Sequence, residues 1–328
     1  MPITLGMFDT SYAHIGERLR ALGLDIAVRT FSKDGTFLVD GRQVAPRDVA
    51  LDYAWLSNHI NADGFRDRAF DIVLGCKSIG VLQTFNAGLD HPFYRALSNK
   101  GTRICNSSAQ GVAIAEYVLG QVLAVFQPIE QQRGLQAGKQ WLITPFREIW
   151  RTNWLIIGFG PIGQEIARRV KAFDATTSVV RRTPQDSPLA DQVGTTADLE
   201  RFLPDADVVV LACSLNDETR GMANARFFAA LKPGAVLVNI ARGGLIDDAA
   251  MLASLEAGKP ATAILDVFHQ EPLETSNQLW THPRVRLTSH TSFSGSGVRA
   301  RWDQLFLYNI QRFAGGETLL HEVNPKDI

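Results

Sequence analysis

A segment with three spaced glycines, 158–163 (GFGPIG), constrains the possible folds of this chain more than any other. It directly follows the apolar run Trp154 to Ile157 and directly precedes a stretch, 162–173, whose apolar residues recur at helical spacing. In a strand–turn–helix unit of this kind, the first glycine allows a tight turn, the second lets a pyrophosphate approach the backbone, and the third permits close helix–strand packing. The segment therefore predicts a dinucleotide site, with a purely structural turn as the alternative; the residues of the site are Gly158, Gly160, Pro161, Ile162 and Gly163.

Six short runs rich in β-branched residues lie after about residue 102, and most are apolar throughout rather than alternating. Such runs are typical of strands that are buried on both faces of a parallel sheet. Segments with helical character separate most of them, and repeated strand–helix–strand units predict a doubly wound, Rossmann-type α/β domain. The six runs are 154–157, 177–180, 207–211, 235–240, 262–266 and 285–288. The first predicted helix, 162–173, has an apolar stripe made of Ile162, Ile166, Val170 and Phe173.

The two ends of the chain predict a second, smaller domain. A length of 328 residues is enough for about two domains. The first hundred residues mix short strand-like runs with turn signals, and an amphipathic helix is predicted from about Val298 to Phe313. We expect this helix to pack back on the N-terminal domain. The predicted domains are therefore a discontinuous substrate domain, 1–101 with 292–328, and a dinucleotide-binding domain, 102–291.

The end of the second predicted strand bears on which dinucleotide is bound. Sites for NAD usually have an acid there that bonds the ribose 2′-hydroxyl, whereas sites for NADP use arginine for the 2′-phosphate. Arg181 stands 18 residues after Gly163, Arg182 follows it, and no acid occupies the strand end. A guanidinium can bind a phosphate through two hydrogen bonds. The sequence therefore favours NADP(H) over NAD(H), and the alternative is that two solvated arginines simply end a strand.

Composition narrows the classes of partner. Lys and Arg number 33 and Asp and Glu 34, so the net charge of −1 gives no electrostatic reason to bind nucleic acid or an anionic membrane. The apolar stretch 111–128 is interrupted by polar residues and is predicted to be a buried helix rather than a membrane span. Three scattered cysteines and an N-terminus unlike a signal peptide favour a cytoplasmic location. No spacing of His, Cys and Asp suggests a metal site.

Three segments near predicted strand ends carry groups suited to chemistry. They contain Arg242, Glu271 and His290, which come at or after the ends of the fourth, fifth and sixth runs. Ligands of open α/β sheets bind outside the carboxyl ends of the strands. These three side chains therefore form a candidate set of an anion clamp, an orienting carboxylate and a proton donor.

The motifs GFGPIG, NIARGGLID and ILDVFHQEPL and the histidine of LTSHTS occur in this order. With them, the chain resembles the D-isomer-specific 2-hydroxyacid dehydrogenases, and more narrowly their glyoxylate/hydroxypyruvate reductase-like branch. The resemblance extends from about Val81 to the C-terminal helix. It implies a Rossmann-type cofactor domain, a smaller flavodoxin-like α/β substrate domain, and a homodimer whose interface includes the helix at 111–126.

The resemblance also implies residue roles. Arg242 would bind the carboxylate and carbonyl oxygen of a 2-oxo acid, His290 would be the acid/base on the C2 oxygen, and Glu271 would be its partner. Ala241 and Asp266 would lie at the cofactor, the latter holding the nicotinamide carboxamide. The backbone amides of Ala87 and Gly88 would receive the substrate carboxylate. Independently of the resemblance, Trp55 follows a strand-like run and could reach over the substrate. For Trp55, as for the aromatic residues 141, 146 and 150, a place in a core or at an interface is expected more often than one in a pocket.

Together these features predict an NAD(P)-dependent enzyme that reduces a 2-oxo acid, glyoxylate- or hydroxypyruvate-like or larger, to the D-2-hydroxy acid. Two alternatives stay open: another dehydrogenase of the superfamily, of phosphoglycerate or phosphite type, and a dinucleotide-sensing binding protein without turnover. Asp247 is interpreted as a possible helix N-cap, and His269 and His282 as surface residues without a partner. The segments 213–216 and 106–116 depart from the family pattern, which puts cofactor contacts there in question.

Overall fold

Two seven-stranded sheets, one in each of two units, organise the structure. The computed structural model describes residues 1–328, the side chain of Asp63 excepted. Unit 1 consists of Met1–Ala109 and Ser296–Ile328, and unit 2 of Gln110–Gly295. The domain limits predicted from the sequence remain a prediction; they are 1–101 with 292–328 for one domain and 102–291 for the other.

The sheet of unit 1 has the order β4-β3-β2-β1-β5-β6-β7. Five of its strands are parallel, and β3 and β4 extend one edge as an antiparallel hairpin. Without that hairpin the order is the flavodoxin-like one, which confirms the predicted class of the smaller domain. In chain order the elements are β1 (Ile3–Phe8), α1 (Asp9–Arg20), β2 (Ile26–Phe31), β3 (Phe37–Val39), β4 (Arg42–Val44), β5 (Ala50–Leu56), α2 (Arg66–Leu74), β6 (Ser78–Thr84), α3 (Pro92–Asn99) and β7 (Arg103–Cys105).

The sheet of unit 2 is parallel throughout, with the order β10-β9-β8-β11-β12-β13-β14. This order confirms the predicted doubly wound, Rossmann-type sheet, whose strand order reverses beside β8. In chain order the elements are α4 (Gly111–Phe126), α5 (Ile129–Ala137), β8 (Asn153–Ile157), α6 (Pro161–Lys171), β9 (Thr176–Val180), β10 (Gln192–Gly194), α7 (Leu199–Phe202), β11 (Val208–Leu211), α8 (Ala225–Ala230), β12 (Val236–Asn239), α9 (Asp248–Glu256), β13 (Thr262–Leu265) and β14 (Val285–Leu287).

Successive residues of the central strands of unit 2 enter two different hydrophobic layers. In β11, Val208 and Val210 pack in the layer that contains α4 and α6, while Val209 and Leu211 pack in the layer that contains α8 and α9. All four side chains are fully buried. The uninterrupted apolar runs of the sequence thus reflect strands covered on both faces.

The last helix, α10 (Val298–Ala314), packs on the sheet of unit 1. Its fully buried Phe306 stacks on Trp55 of β5 with ring centroids 4.1 Å apart, and its Ile310 belongs to the same cluster as Leu5 of β1. Unit 1 is therefore built from both ends of the chain.

One expectation about the helices differs from the structure and another agrees with it. The predicted apolar stripe was wrong at its last member, because α6 ends at Lys171 and Phe173 lies beyond it with 39% of its surface exposed. The stretch at 111–128 forms α4, which gives Ile114, Val118 and Val122 to the core. Across the described residues, no single helix has the length and apolarity to cross a membrane, although α4 and α5, bent by 58°, satisfy both criteria as a pair.

A matched pair of leucines tests the burial in unit 1. Leu5 is fully buried, whereas Leu38 on the edge hairpin is 50% exposed. We expect Leu5→Ala to lower the free energy of unfolding by about 2–5 kcal/mol, because it leaves a cavity in the core, and Leu38→Ala to lower it by about 0.5 kcal/mol or less. Urea unfolding of both variants measures the difference, and equal losses would contradict the assigned core.

Candidate active site

Three loops at one edge of the unit 2 sheet carry the charged side chains that the sequence singles out. Strands β12, β13 and β14 are parallel neighbours, so their carboxyl ends meet at the same edge. Arg242 follows β12 by three residues, Glu271 follows β13 by six, and His290 follows β14 by three. The topology thus brings residues almost fifty positions apart in the chain to one edge of one sheet.

His290 and Glu271 form a hydrogen-bonded pair. Nδ1 of His290 lies 2.7 Å from Oε2 of Glu271, and the other carboxylate oxygen accepts the backbone N–H of Phe268 at 2.9 Å. An ionised carboxylate only accepts hydrogen bonds, so Nδ1 carries a proton and Nε2 is left for another partner. Both side chains stay partly exposed, at 41% and 36%. This arrangement holds the imidazole in one orientation while a proton can still be exchanged at Nε2.

Arg242 is presented by a turn that Asn239 holds in place. The Asn239 side chain is fully buried; its Nδ2 donates to the carbonyl of Arg242 at 2.9 Å and its Oδ1 accepts the N–H of Ala241 at 3.1 Å. The guanidinium of Arg242 donates to the carbonyl of Ala241 at 2.7 Å. Ala241, predicted at the cofactor, is therefore also part of the backbone that fixes the arginine.

The turn after Arg242 is packed directly on the loop that carries Glu271. A Cβ on Gly243 would lie 2.0 Å from the carbonyl carbon of Phe268, so only glycine fits there. His269 adds a second link, with Nε2 2.9 Å from the carbonyl oxygen of Ile246. Burial raises the pKa of the nearby Asp248, and the facing His269 lowers it by a smaller amount. The two loops are thereby held at a fixed spacing.

His269 and His282 do not match their interpretation as partnerless surface residues. His269 bonds Ile246, as above, which makes it a link between the two catalytic loops. The His282 side chain is only 10% exposed, and its Nδ1 accepts the N–H of Arg284 at 3.1 Å. The contact of His269 joins residues 23 positions apart, so it has no signal in the sequence, whereas that of His282 is local. The N-cap interpretation of Asp247 is confirmed, since its side chain accepts the N–H of Ala250.

Asp266, predicted to hold the nicotinamide carboxamide, lies directly after β13 and is fully buried. Its carboxylate accepts the hydroxyl of Thr288 at 2.6 Å and the N–H groups of Thr291 and Ser292 at 2.8 and 3.0 Å. Its carbonyl accepts the N–H of His290 at 2.8 Å. The residue therefore anchors the turn that carries His290.

The glycine-rich turn has the geometry that a bound dinucleotide needs. Gly158 has φ +104°, and a Cβ there would lie 2.4 Å from the nitrogen of Cys213. A Cβ on Gly163 would lie 2.2 Å from the carbonyl oxygen of Gly158. A Cβ on Gly160 would meet nothing within 4 Å, although this residue directly precedes Pro161, the first residue of α6. Two glycines are thus explained by the protein itself, and the open space at the third fits a pyrophosphate on the helix N-terminus.

Arg181 and Arg182 lie at the end of β9, beside this turn. The N–H of Gly158 donates to the carbonyl of Val180 at 2.8 Å, which ties the glycine turn to the strand end. Arg181 is half-buried and Arg182 is exposed. In the part of the chain that the structure describes, no carboxylate forms an ion pair with Arg181. These are the two guanidinium groups that the sequence predicted to bind a 2′-phosphate.

The loop after β6 in unit 1 leaves two backbone donors unused. The Asn106 side chain donates to the carbonyl of Ala87 at 2.7 Å, and the N–H of Ser107 donates to the carbonyl of Asn86 at 2.9 Å. Within the described residues, the N–H groups of Ala87 and Gly88 are in no hydrogen bond. Free amides in a fixed loop are suited to receiving an anion.

Trp55, predicted to contact the substrate, is a core residue. It is 1% exposed and stacked on Phe306, so its ring fills the core of unit 1. Trp141 and Phe146, in contrast, are 99% and 55% exposed. Among the described residues, no group of three or more His, Cys, Asp or Glu side chains could hold a metal ion.

The chain is similar in sequence to known dehydrogenases. The family model described as "D-isomer specific 2-hydroxyacid dehydrogenase, NAD binding domain" matches residues 119–292, more than half of the chain. An uncharacterized protein in the proB 3′ region of Corynebacterium melassecola is 32% identical over 256 residues, 76% of this chain and 83% of that protein. Glyoxylate/hydroxypyruvate reductase A of Salmonella typhi is 31% identical over 220 residues, 66% of this chain and 69% of that enzyme. D-3-phosphoglycerate dehydrogenase of Bacillus subtilis is 29% identical over 251 residues, and the chain spans about half the length of that enzyme, 47%.

Solved structures are similar over nearly the whole length. A D-isomer specific 2-hydroxyacid dehydrogenase family protein from Aeromonas salmonicida is 27% identical, with a TM-score of 0.78 and coverage of 99% of this chain and 100% of that one. An NADPH-dependent glyoxylate/hydroxypyruvate reductase from Sinorhizobium meliloti, in complex with NADP and sulfate, is 25% identical, with a TM-score of 0.73 and 99% coverage of both chains.

Two glycine variants test the dinucleotide site. Gly160→Ala should fold with an unchanged melting temperature, because its Cβ meets no protein atom, and should weaken dinucleotide binding by roughly 10-fold or more, because the methyl group occupies the pyrophosphate position. Gly163→Ala, the control, should lose stability through the clash with Gly158. Fluorescence titration with NADPH and thermal melts separate the two effects; wild-type affinity in Gly160→Ala would contradict the assigned site.

Proposed function

The chain belongs to the D-isomer specific 2-hydroxyacid dehydrogenases, which are NAD(P)-dependent oxidoreductases, and on that premise we propose that it reduces a 2-oxo acid to the D-2-hydroxy acid with NADPH as the preferred reductant. The substrate is of the glyoxylate or hydroxypyruvate type or larger. The observation that carries the proposal is the 2.7 Å contact between His290 and Glu271, on the sheet edge that also carries Arg242 and the glycine turn.

In this reaction NADPH, when bound, supplies the hydride that adds to C2 of the 2-oxo acid. His290 donates a proton from Nε2 to the C2 oxygen as negative charge develops there. Glu271 holds the ring through Nδ1 and offers a negative charge to the imidazolium. In the reverse direction the same nitrogen takes the proton back.

Arg242 is the proposed clamp for the substrate. Its planar guanidinium can bind the carboxylate through two hydrogen bonds and polarise the carbonyl oxygen. The backbone amides of Ala87 and Gly88 keep their proposed role as further donors to the carboxylate, which their unused N–H groups support. Asp266 is the proposed acceptor for the nicotinamide carboxamide. Its Oδ2 accepts only one protein N–H and has capacity for another donor.

Preference for NADPH is supported by Arg181 and Arg182 at the end of β9. The S. meliloti structure, similar to this chain over 99% of its length, is that of an NADPH-dependent enzyme in complex with NADP. The sequence has two arginines and no acid at residues 181–183, which favours the extra phosphate.

A homodimer is supported by exposed apolar surface beside α4 and α5. The segment 138–150 follows these helices directly, and patches of this kind usually mark an interface. Its large exposed side chains are Trp141, Leu142, Ile143, Phe146 and Trp150.

Replacing the proton donor tests the mechanism. We expect His290→Ala to lower kcat by roughly 10²–10⁴-fold, the usual contribution of a positioned acid/base, with NADPH affinity unchanged. Glu271→Gln should lower kcat by a smaller factor, since the ring keeps a neighbour but loses the charge. Steady-state kinetics with the 2-oxo acid reduced fastest measure both. His282→Gln is the matched control, and near-normal turnover by His290→Ala would end this assignment.

Removing the two arginines tests the cofactor preference. In the variant Arg181→Ala/Arg182→Ala, we expect kcat/KM for NADPH to fall roughly 10–100-fold, as two charged hydrogen bonds to a phosphate are lost. The value for NADH should stay within about threefold. Arg168→Ala, on the exposed face of α6, is the control. A wild-type protein that uses NADH better than NADPH would refute the preference.

A charge in the exposed apolar segment tests the dimer. Ile143 is 94% exposed in the single chain, so Ile143→Asp should fold normally and still prevent association. Light scattering after gel filtration should give twice 36.1 kDa for the wild type and 36.1 kDa for the variant. Leu38→Asp, on the hairpin of unit 1, should remain a dimer. A monomeric wild type would contradict the proposal.

A further inference from the structure

The turn that carries His290 is held by one buried residue, Asp266, through its carboxylate and its backbone carbonyl. Four groups of the segment 288–292 donate to Asp266: the hydroxyl of Thr288, and the backbone N–H groups of His290, Thr291 and Ser292. His290 itself has φ +50°, in the left-handed region that side chains other than glycine rarely adopt. A conformation of this kind persists only where its surroundings hold it. The bonds to Asp266 are what hold it here.

Thr288 extends this anchor to another element of the unit. Its hydroxyl oxygen lies 2.6 Å from Asp266 Oδ1 and also 2.6 Å from the hydroxyl oxygen of Tyr117, on α4. A carboxylate can only accept, so the single proton of Thr288 is committed to Asp266. Thr288 must then accept from Tyr117, and the phenol is the donor. Every hydrogen bond of the chain Tyr117–Thr288–Asp266 thus has one fixed direction.

The surroundings favour this direction. Tyr117 is half-buried, and burial raises the pKa of its phenol to about 12, so its proton stays on the oxygen. Asp266 is fully buried, and a buried charge with fewer partners is costly. Losing the Thr288 hydroxyl would remove one partner from the carboxylate and the acceptor from the phenol at once.

We propose that Tyr117 and Thr288 are positioning residues for the reaction, acting through Asp266 on the turn that places His290. The proposal rests on the function proposed above for His290. Neither residue belongs to the catalytic set, and neither touches the His290–Glu271 pair directly. Their contribution is to the placement of Nε2, since a displacement of about 1 Å at a reacting group can reduce the rate by 10²-fold.

Substitution at Thr288 gives the direct test. Thr288→Val keeps the shape and removes the hydroxyl; we expect kcat to fall roughly 10–100-fold, with KM for the 2-oxo acid and Kd for NADPH within about twofold. Thr288→Ser restores the hydroxyl and should recover most of kcat. Tyr117→Phe should lower kcat by a smaller factor, and the double variant should be no worse than Thr288→Val alone, because both act through one chain. Tyr308→Phe, at an exposed tyrosine of α10, is the matched control.

A readout that does not depend on turnover separates this proposal from the proposed function. In Thr288→Val, hydrogen exchange of the backbone amides of His290, Thr291 and Ser292 should quicken by roughly 10-fold or more, while amides of β11 keep wild-type rates. Unchanged exchange at all three amides, or wild-type kcat in Thr288→Val, would overturn the proposal. If Thr288→Val does not fold, the same comparison is made between Tyr117→Phe and Tyr308→Phe, and equal behaviour of those two would overturn it. A wild-type protein that reduces no 2-oxo acid, yet shows the exchange difference, would refute only the proposed function.

Discussion

The burial of both faces of the parallel sheet in unit 2 is the constraint on which the rest depends. Interior strands such as β11 must pair every backbone group with a neighbour and must cover both faces with apolar layers. A slip in register would expose buried side chains and unpair backbone groups at the same time. All seven carboxyl ends are therefore fixed at one edge, and residues far apart in the chain meet there.

The chemistry at that edge is divided between exposed and buried side chains. His290, Glu271 and Arg242 stay partly accessible, as groups that meet a substrate must. The residues that hold them, Asn239 and Asp266, are fully buried, and both form hydrogen bonds to the turns. Buried polar groups that are hydrogen-bonded to a turn give it a rigid support. The positions of the reacting side chains are therefore set by residues that do not take part in proton transfer.

Much of this arrangement could be predicted from the sequence, and the reasons are local. Apolar runs such as 207–211 mark strands that are buried in a parallel sheet. The spacing of the glycines marks a strand–turn–helix unit, and the space around each Cβ position in the structure agrees with the geometry expected of it. The predicted parallel strands put His290 and Glu271 at one edge of the sheet, and the resemblance to the dehydrogenase family implied that they pair. What could not be predicted depends on packing between distant segments: the contact of Tyr117 with Thr288 joins residues 171 positions apart.

The same limit explains why the place of Trp55 stayed open and why His269 was interpreted as having no partner. Trp55 lies at the end of a strand-like run. Its stacking on Phe306 depends on α10, which comes from the other end of the chain and packs on the sheet of unit 1. His269 lies in a loop. It reaches the carbonyl oxygen of Ile246 because the turn at Gly243 is packed directly on that loop. Neither partner is near in sequence, so no pattern of spacing could reveal it.

The most direct measurement of the central claim is the oxidation of NADPH by the purified protein with glyoxylate, hydroxypyruvate, pyruvate and phenylpyruvate in turn, followed by chiral analysis of each chiral product. We expect consumption of NADPH with at least one of these acids and the D-enantiomer wherever the product is chiral. Failure to oxidise NADPH with any of the four, or an L-product, would contradict it.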